Sequence, residues 1–248
     1  MNLVNEAALL SARRNKLKIT AREFDDARDK VLMGAERRTL SMTEEEREMT
    51  AYHEAGHAIV GLKVPGNLPI HKATIIPRGR ALGMVQLLPE RDQISLSRQE
   101  MIGDLAMAMG GRAAEEIHFG HDKVTSGASG DIEHVTRRAT AMVTEWGMSE
   151  AVGPIAYKKR NDGSFVPGIG RGSSISPETA KLIENEIKRY VTEAHETATK
   201  VIKKHKKEFI KLAEALLEYE TLSGDEIKAL LDDDTLSLIH ISEPTRPY

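Results

Sequence analysis

The chain has 248 residues, a formal net charge of -3, 40% hydrophobic and 29% charged residues, and only 4% aromatic residues. That length allows one or two domains with a sizeable core, and so few aromatics argue against a sandwich or barrel and for a mainly α-helical, soluble fold. The mixed-sign charge calls for no nucleic-acid partner, no stretch reaches the roughly eighteen apolar residues of a membrane span, and the lack of cysteine excludes disulfides, thiolate metal sites and a cysteine nucleophile.

Leu3, Val4, Ala7 and Leu10 recur at helical spacing from Asn2 to about Arg14, and Thr20 to Glu23 forms a capping box that opens a second helix. Gly34 to Leu40 reads as a linker. A second box, Thr43 to Glu46, starts a helix that runs to about Leu62 and stops at Pro65-Gly66. Met49, Tyr52, His53, Gly56, His57 and Val60 mark its inward face. Ala73 to Ile76 and Met84 to Leu88 are short β-branched runs around Pro77, Gly79 and Gly83, the chain's one clear strand signal.

Ser95 to about Phe119 is predicted as one helix with Gly110-Gly111 inside it, a doublet that marks close packing. After the loop from Ser126 to Gly130, another helix runs from near Asp131 to Trp146. Ser149 to Ser174 reads as an irregular connection with one short strand around Ile155 to Tyr157. Ser176-Pro177-Glu178 starts a long helix carried by Ile183, Ile187, Val191, Ala194, Ala198 and Ile202. An amphipathic stretch through Phe209, Leu212 and Leu216 follows, then a short helix from Ser223 through Leu231. The run Lys203 to Lys207 reads as a solvated helix face. Leu236 to Tyr248 abandons the pattern and looks vector-derived, so 233–248 is set aside as a non-native tail.

The chemistry concentrates in His53-Glu54-Ala55-Gly56-His57. Two histidines one helical turn apart can reach a single zinc ion while the glutamate between them faces the same space. His53 and His57 are the expected metal ligands, and Glu54 the base that takes a proton from the attacking water and returns it to the leaving amine. The bland alternative is a hydrogen-bonded pair of core histidines. A third ligand is required, and the extended motif fails because Val60 and Lys63 stand where its Gly and His would be. Spacing leaves Glu115, Glu116, His118, His121, Asp122 and Asp131 open, and Asp131 reads equally as a helix cap.

Met33 to Arg38, Tyr52 to Ala58, Ile75 to Gly83, Gly110 to Arg112 and Thr125 to Ile132, taken together and in order, resemble the FtsH family of ATP-driven membrane proteases from Asn2 to about Leu231. The resemblance implies a helical zinc-metallopeptidase domain, here 37–232, with a small β-strand element beside the active-site helix. It makes Asp131 the third zinc ligand and one zinc ion per chain the cofactor. It implies that 1–36 is the end of an AAA+ ATPase lid; no phosphate-binding loop occurs, so no ATPase activity is expected of this stretch. Family members are hexamers anchored by N-terminal helices on the cytoplasmic face of the bacterial inner membrane. They unfold proteins with ATP and thread them to the protease, so the implied substrates are unfolded, damaged and membrane proteins.

Two smaller expectations accompany these. Glu115 or Glu116 is expected to orient a ligand histidine. Ala81, Leu82, Gly83, Met84 and Val85 are candidates for a strand that lends its edge to an extended substrate, with an ordinary packed strand as the alternative. A different class of function is a catalytically silent, zinc-stabilised oligomerisation ring; Glu54 argues against it, since a structural site needs no base. A basic nucleic-acid-binding helix rests on the lysine run alone.

Overall fold

The computed structural model describes residues 2–37, 42–79, 81–89, 94–157 and 175–232. The proposed tail and part of the linker at Gly34 to Leu40 lie outside them. The fold is mainly helical with one small sheet, as the composition predicts, and no helix among the described residues is long and apolar enough to cross a membrane.

Helices α1 (Leu3–Arg13) and α2 (Ala21–Met33) pack on each other as a pair. Glu23, fully buried, closes the α2 capping box and accepts from Lys16 and Arg14, which hold its carboxyl well below the usual range. Salt bridges anchor this N-terminal segment to residues farther along the chain: Lys72 to Asp29, and Arg78 to Glu36 at 2.5 Å. The Arg37 amide donates to the Pro77 carbonyl at 2.7 Å.

Helix α3 (Glu44–Lys63) is the centre of the molecule. The sequence predicts one inward face, but from Thr50 to Gly61 it is buried nearly all round, packed chiefly against α5 (Gly110–His118) and α8 (Lys206–Tyr219). Its alanines allow this: Ala51, Ala55 and Ala58 on α3 and Ala113 and Ala114 on α5 are fully buried, which lets backbones approach where larger side chains would hold them apart. Closest approach falls at Gly56, where an added Cβ would lie 2.4 Å from the Gly110 carbonyl oxygen. The helix predicted from Ser95 to Phe119 is therefore two, α4 (Arg98–Ala108) and α5, parted at Met109 where α3 crosses.

Helix α6 (Ser129–Thr144) and the long α7 (Pro177–Lys204) complete the bundle. Tyr190, Ile202, Met142, Leu105, Phe209 and Leu212 are buried within it, each contributing about 1.5–3 kcal/mol by leaving water. The short strand expected at Ile155 to Tyr157 is absent; the Tyr157 amide instead donates to the Thr144 carbonyl at the end of α6.

The sheet has the order β2-β1-β3 and is antiparallel throughout: β1 (Ile70–Thr74), β2 (Met84–Leu87) and β3 (Thr221–Ser223). Thr74 pairs with Met84 on one side and Thr221 on the other, so β2 is an edge strand. The sequence offers no sign of β3, whose three residues are too short to show alternation. Its successor, α9 (Gly224–Asp232), begins so close to β1 that a Cβ on Gly224 would sit 1.9 Å from the Ile70 carbonyl oxygen. Gly224→Ala is expected to cost about 1–3 kcal/mol, which at this size lowers the melting temperature by roughly 2–4 °C per kcal/mol. Gly130→Ala, where nothing lies within 4 Å, is the control expected to melt no lower than wild type.

Candidate metal centre

His53 and His57 sit one turn apart on α3, and their Nε2 atoms lie 3.0 Å from each other. From α6, Asp131 brings its Oδ2 to 3.1 Å from the Nε2 of His53 and 3.5 Å from that of His57. Among the described residues these are the one group of His, Cys, Asp or Glu side chains with converging ligand atoms, all within 4.8 Å of one another. Asp131 is the third residue of α6 and not its cap; first-turn amides leave partial positive charge that favours a carboxylate there.

Proton placement on the rings follows from their outer partners. The Nδ1 of His57 lies 2.8 Å from the Met107 carbonyl oxygen, which can only accept, so that nitrogen carries the hydrogen and Nε2 presents a lone pair. The Nδ1 of His53 lies 2.8 Å from Oε1 of Glu115, a carboxylate only 1% exposed. Burial would raise the Glu115 pKa, but hydrogen bonds with His53 and Thr125 outweigh it and lower it, so Glu115 also accepts. Two imine nitrogens and a carboxylate oxygen thus face one point. Burial disfavours a charged His53, yet hydrogen bonds to Asp131 and Glu115 push its pKa up to about 10, so without an ion the ring also carries a proton on Nε2, which must leave before that nitrogen can act as a donor.

The donor set fits zinc. A tetrahedral ion with bonds of about 2.0–2.1 Å needs donors about 3.3 Å apart, and the three separations here are 3.0, 3.1 and 3.5 Å. The outer hydrogen bonds to Met107 and Glu115 are those that fix tautomer and ring orientation in such sites. Gly111 makes room: a Cβ there would lie 2.4 Å from the His53 ring. The close packing expected of the glycine doublet is therefore against both a backbone, at Gly110, and the His53 ring, at Gly111.

Glu54, next to His53 on α3, is 5% exposed, and its Oε2 is buried without a hydrogen-bond partner among the described residues. Burial raises its pKa against the opposing pull of His57 and His53. Gly83, just before β2, lies against this side chain: a Cβ there would come within 2.8 Å of Glu54 Cγ and Oε1, so only glycine allows the approach. Ala81 exchanges both backbone hydrogen bonds with Arg78 at 2.9 Å, Leu82 is exposed, and Met84 and Val85 enter β2.

The remaining candidates are placed elsewhere. Glu115 reaches His53, whereas Glu116 accepts from Arg112 at 2.8 Å and pairs with His195 at 3.0 Å. His118 stacks on Tyr52 with ring centroids 3.5 Å apart, and His121 and Asp122 are exposed. Sequence reasoning did not single out the Met107 carbonyl or Thr125. The first leaves no signal in side-chain identity, and the second is signalled only by its place before the Ser126 to Gly130 loop.

A helical bundle that converges His, His and Asp donors beside a buried glutamate defines a metallopeptidase domain of the zinc type. Residues 40–230 match the model of peptidase family M41. The chain belongs to that family. It is 53% identical over 231 residues to the ATP-dependent zinc metalloprotease FtsH of Neorickettsia risticii, covering 93% of this chain and 35% of that protein. Against the FtsH proteins of Rickettsia bellii and Caulobacter vibrioides the identities are 51% over 235 residues and 52% over 231 residues, covering 95% and 93% of this chain and 37% of each relative. The chain thus spans little more than a third of the length of these bacterial relatives.

Proposed function

We propose that this chain is the peptide-cutting part of an ATP-dependent protease, with His53, His57 and Asp131 holding one zinc ion and Glu54 acting as general base. The observation that carries the proposal is the convergence of the three donors beside Glu54. Zinc, when bound, supplies a Lewis acid for a carbonyl oxygen and makes water acidic enough to lose a proton near neutral pH. The protein's own groups do the rest. His53 and His57 keep their tautomers through Glu115 and Met107. The Glu54 carboxylate takes one proton from water as its oxygen adds to the peptide carbon. It then delivers that proton to the amine nitrogen as the C–N bond breaks. Burial raises Glu54 and so makes it a stronger base than a solvated carboxylate.

The edge position of β2, and the approach of Gly83 to Glu54 just before it, support the reading that an extended substrate pairs with this edge and is held by its main chain. Recognition of that kind tolerates many sequences, which suits unfolded and damaged proteins. By analogy with relatives named ATP-dependent, the full-length protein would be a membrane-anchored hexamer working at the cytoplasmic face. In it 1–36 would end the ATPase lid, 37–232 would form the peptidase, and 233–248 would be foreign.

The test is cleavage of an unstructured fluorogenic peptide by the chain without its last sixteen residues. Loss of cleavage on chelation and recovery with added zinc are expected. Bound zinc without cleavage would instead support a silent ring or a motor-dependent protease.

A further inference from the structure

Glu115 uses its two oxygens differently. Oε1 meets the Nδ1 of His53 at 2.8 Å, and Oε2 accepts the backbone N–H of Thr125 at 2.8 Å. The Thr125 hydroxyl lies 3.4 and 3.3 Å from those same oxygens, and its own oxygen accepts the Gly127 amide at 3.1 Å. That last bond caps a 3-10 turn, Ser126–Ala128, which runs without a break into α6 and so delivers Asp131. A hydroxyl donates one hydrogen and accepts at its lone pairs, so Thr125 can hold Glu115 with one and the turn with the other. Glu115 is nearly fully buried, while Thr125 is exposed. Removing the hydroxyl therefore opens no cavity, and any effect at the metal must travel through hydrogen bonds.

We propose that Thr125 is a positioning residue of the metal centre: its hydroxyl, acting through Glu115, locks the loop that carries Asp131 to the carboxylate that orients His53. The proposal rests on the zinc-site reading. Two ligands from different helices are then set by one shared carboxylate. A shift of the 125–131 loop and a rotation of the His53 ring become coupled events, and the cost of losing the coupling falls on metal affinity.

The test is zinc affinity, read by competition with a chromogenic chelator, in Thr125→Val and Thr125→Ser, with helicity checked by circular dichroism. Loss of a group bonded directly to a metal ligand typically costs about 10–100-fold in affinity; the Thr125 hydroxyl acts one bond further out and the backbone N–H bond to Glu115 remains, so the loss expected for valine is toward the lower end of that range, about 10-fold, with serine restoring it. In a Glu115→Gln background, Thr125→Val is expected to add little further loss, because the route through Glu115 is already broken. If valine unfolds the chain, Thr125→Ala takes its place. Wild-type affinity in the valine variant, serine as weak as valine, or full additivity with Glu115→Gln would each overturn the proposal. His57→Ala separates the two readings: if it also binds zinc like wild type, the metal site itself is misassigned, whereas if it loses zinc while Thr125→Val keeps it, only the role of Thr125 falls.

Discussion

Glu54→Gln is expected to lower kcat for an unstructured peptide by about 10²–10⁴-fold, the range attributed to a positioned general base, with zinc content unchanged. Glutamine keeps the volume and the fit beneath Gly83, where a Cβ would come within 2.8 Å of the Glu54 side chain, so the strand above need not move. What it loses is the ability to accept a proton. In wild type the carboxyl has a buried oxygen with no partner among the described residues, and burial has raised its pKa. Metal analysis beside the rate measurement decides between causes. Lost cleavage with zinc in place identifies the base, and retained cleavage would mean that another group removes the proton.

Asp131→Asn is expected to be as damaging by a different route. The carboxylate is the sole anionic donor among the three converging groups. It also provides, after the opposing effect of burial, the leading contribution that drives the His53 pKa upward. An amide of the same shape removes that charge and offers a weaker ligand oxygen. Zinc affinity in a chelator competition should fall by more than the roughly 10–100-fold cost of losing an outer partner, and cleavage should fall with it unless zinc is supplied in large excess. Glu116→Gln is the matched control. Its carboxylate pairs with Arg112 and His195 and not with a ligand, so its zinc affinity should match wild type. Asp131→Asn with full zinc and full activity would return the third ligand to open question.

Much of the fold follows from local rules. The capping boxes at Thr20 and Thr43, and Ser176-Pro177 at the start of α7, place helix starts where the structure has them. They could be read because a cap is satisfied within four residues. The break at Met109 could not, because propensity alone carries one helix through the segment; the neighbour packed beside the break, Gly56 against Gly110, is more than fifty positions earlier. β3 escaped for a similar reason: it is a strand only because β1 lies beside it.

At the site, sequence by itself determined the helical pair His53 and His57 and the placing of Glu54 between them, since spacing on one helix is fixed by the helix. It could not choose among six candidates for the third donor; resemblance to a family pointed to Asp131, and tertiary structure brought that residue, and none of the other five, to the facing Nε2 atoms, Glu115 meeting only the outer Nδ1 of His53. Only packing across α3, α4, α5 and α7 decides that Glu115 faces His53 while Glu116 meets His195, and that the Met107 carbonyl of α4 holds His57. Neighbouring positions on a helix point about 100° apart, so which one meets a ligand depends on how the helices are set against each other, and that is a property of the assembled core.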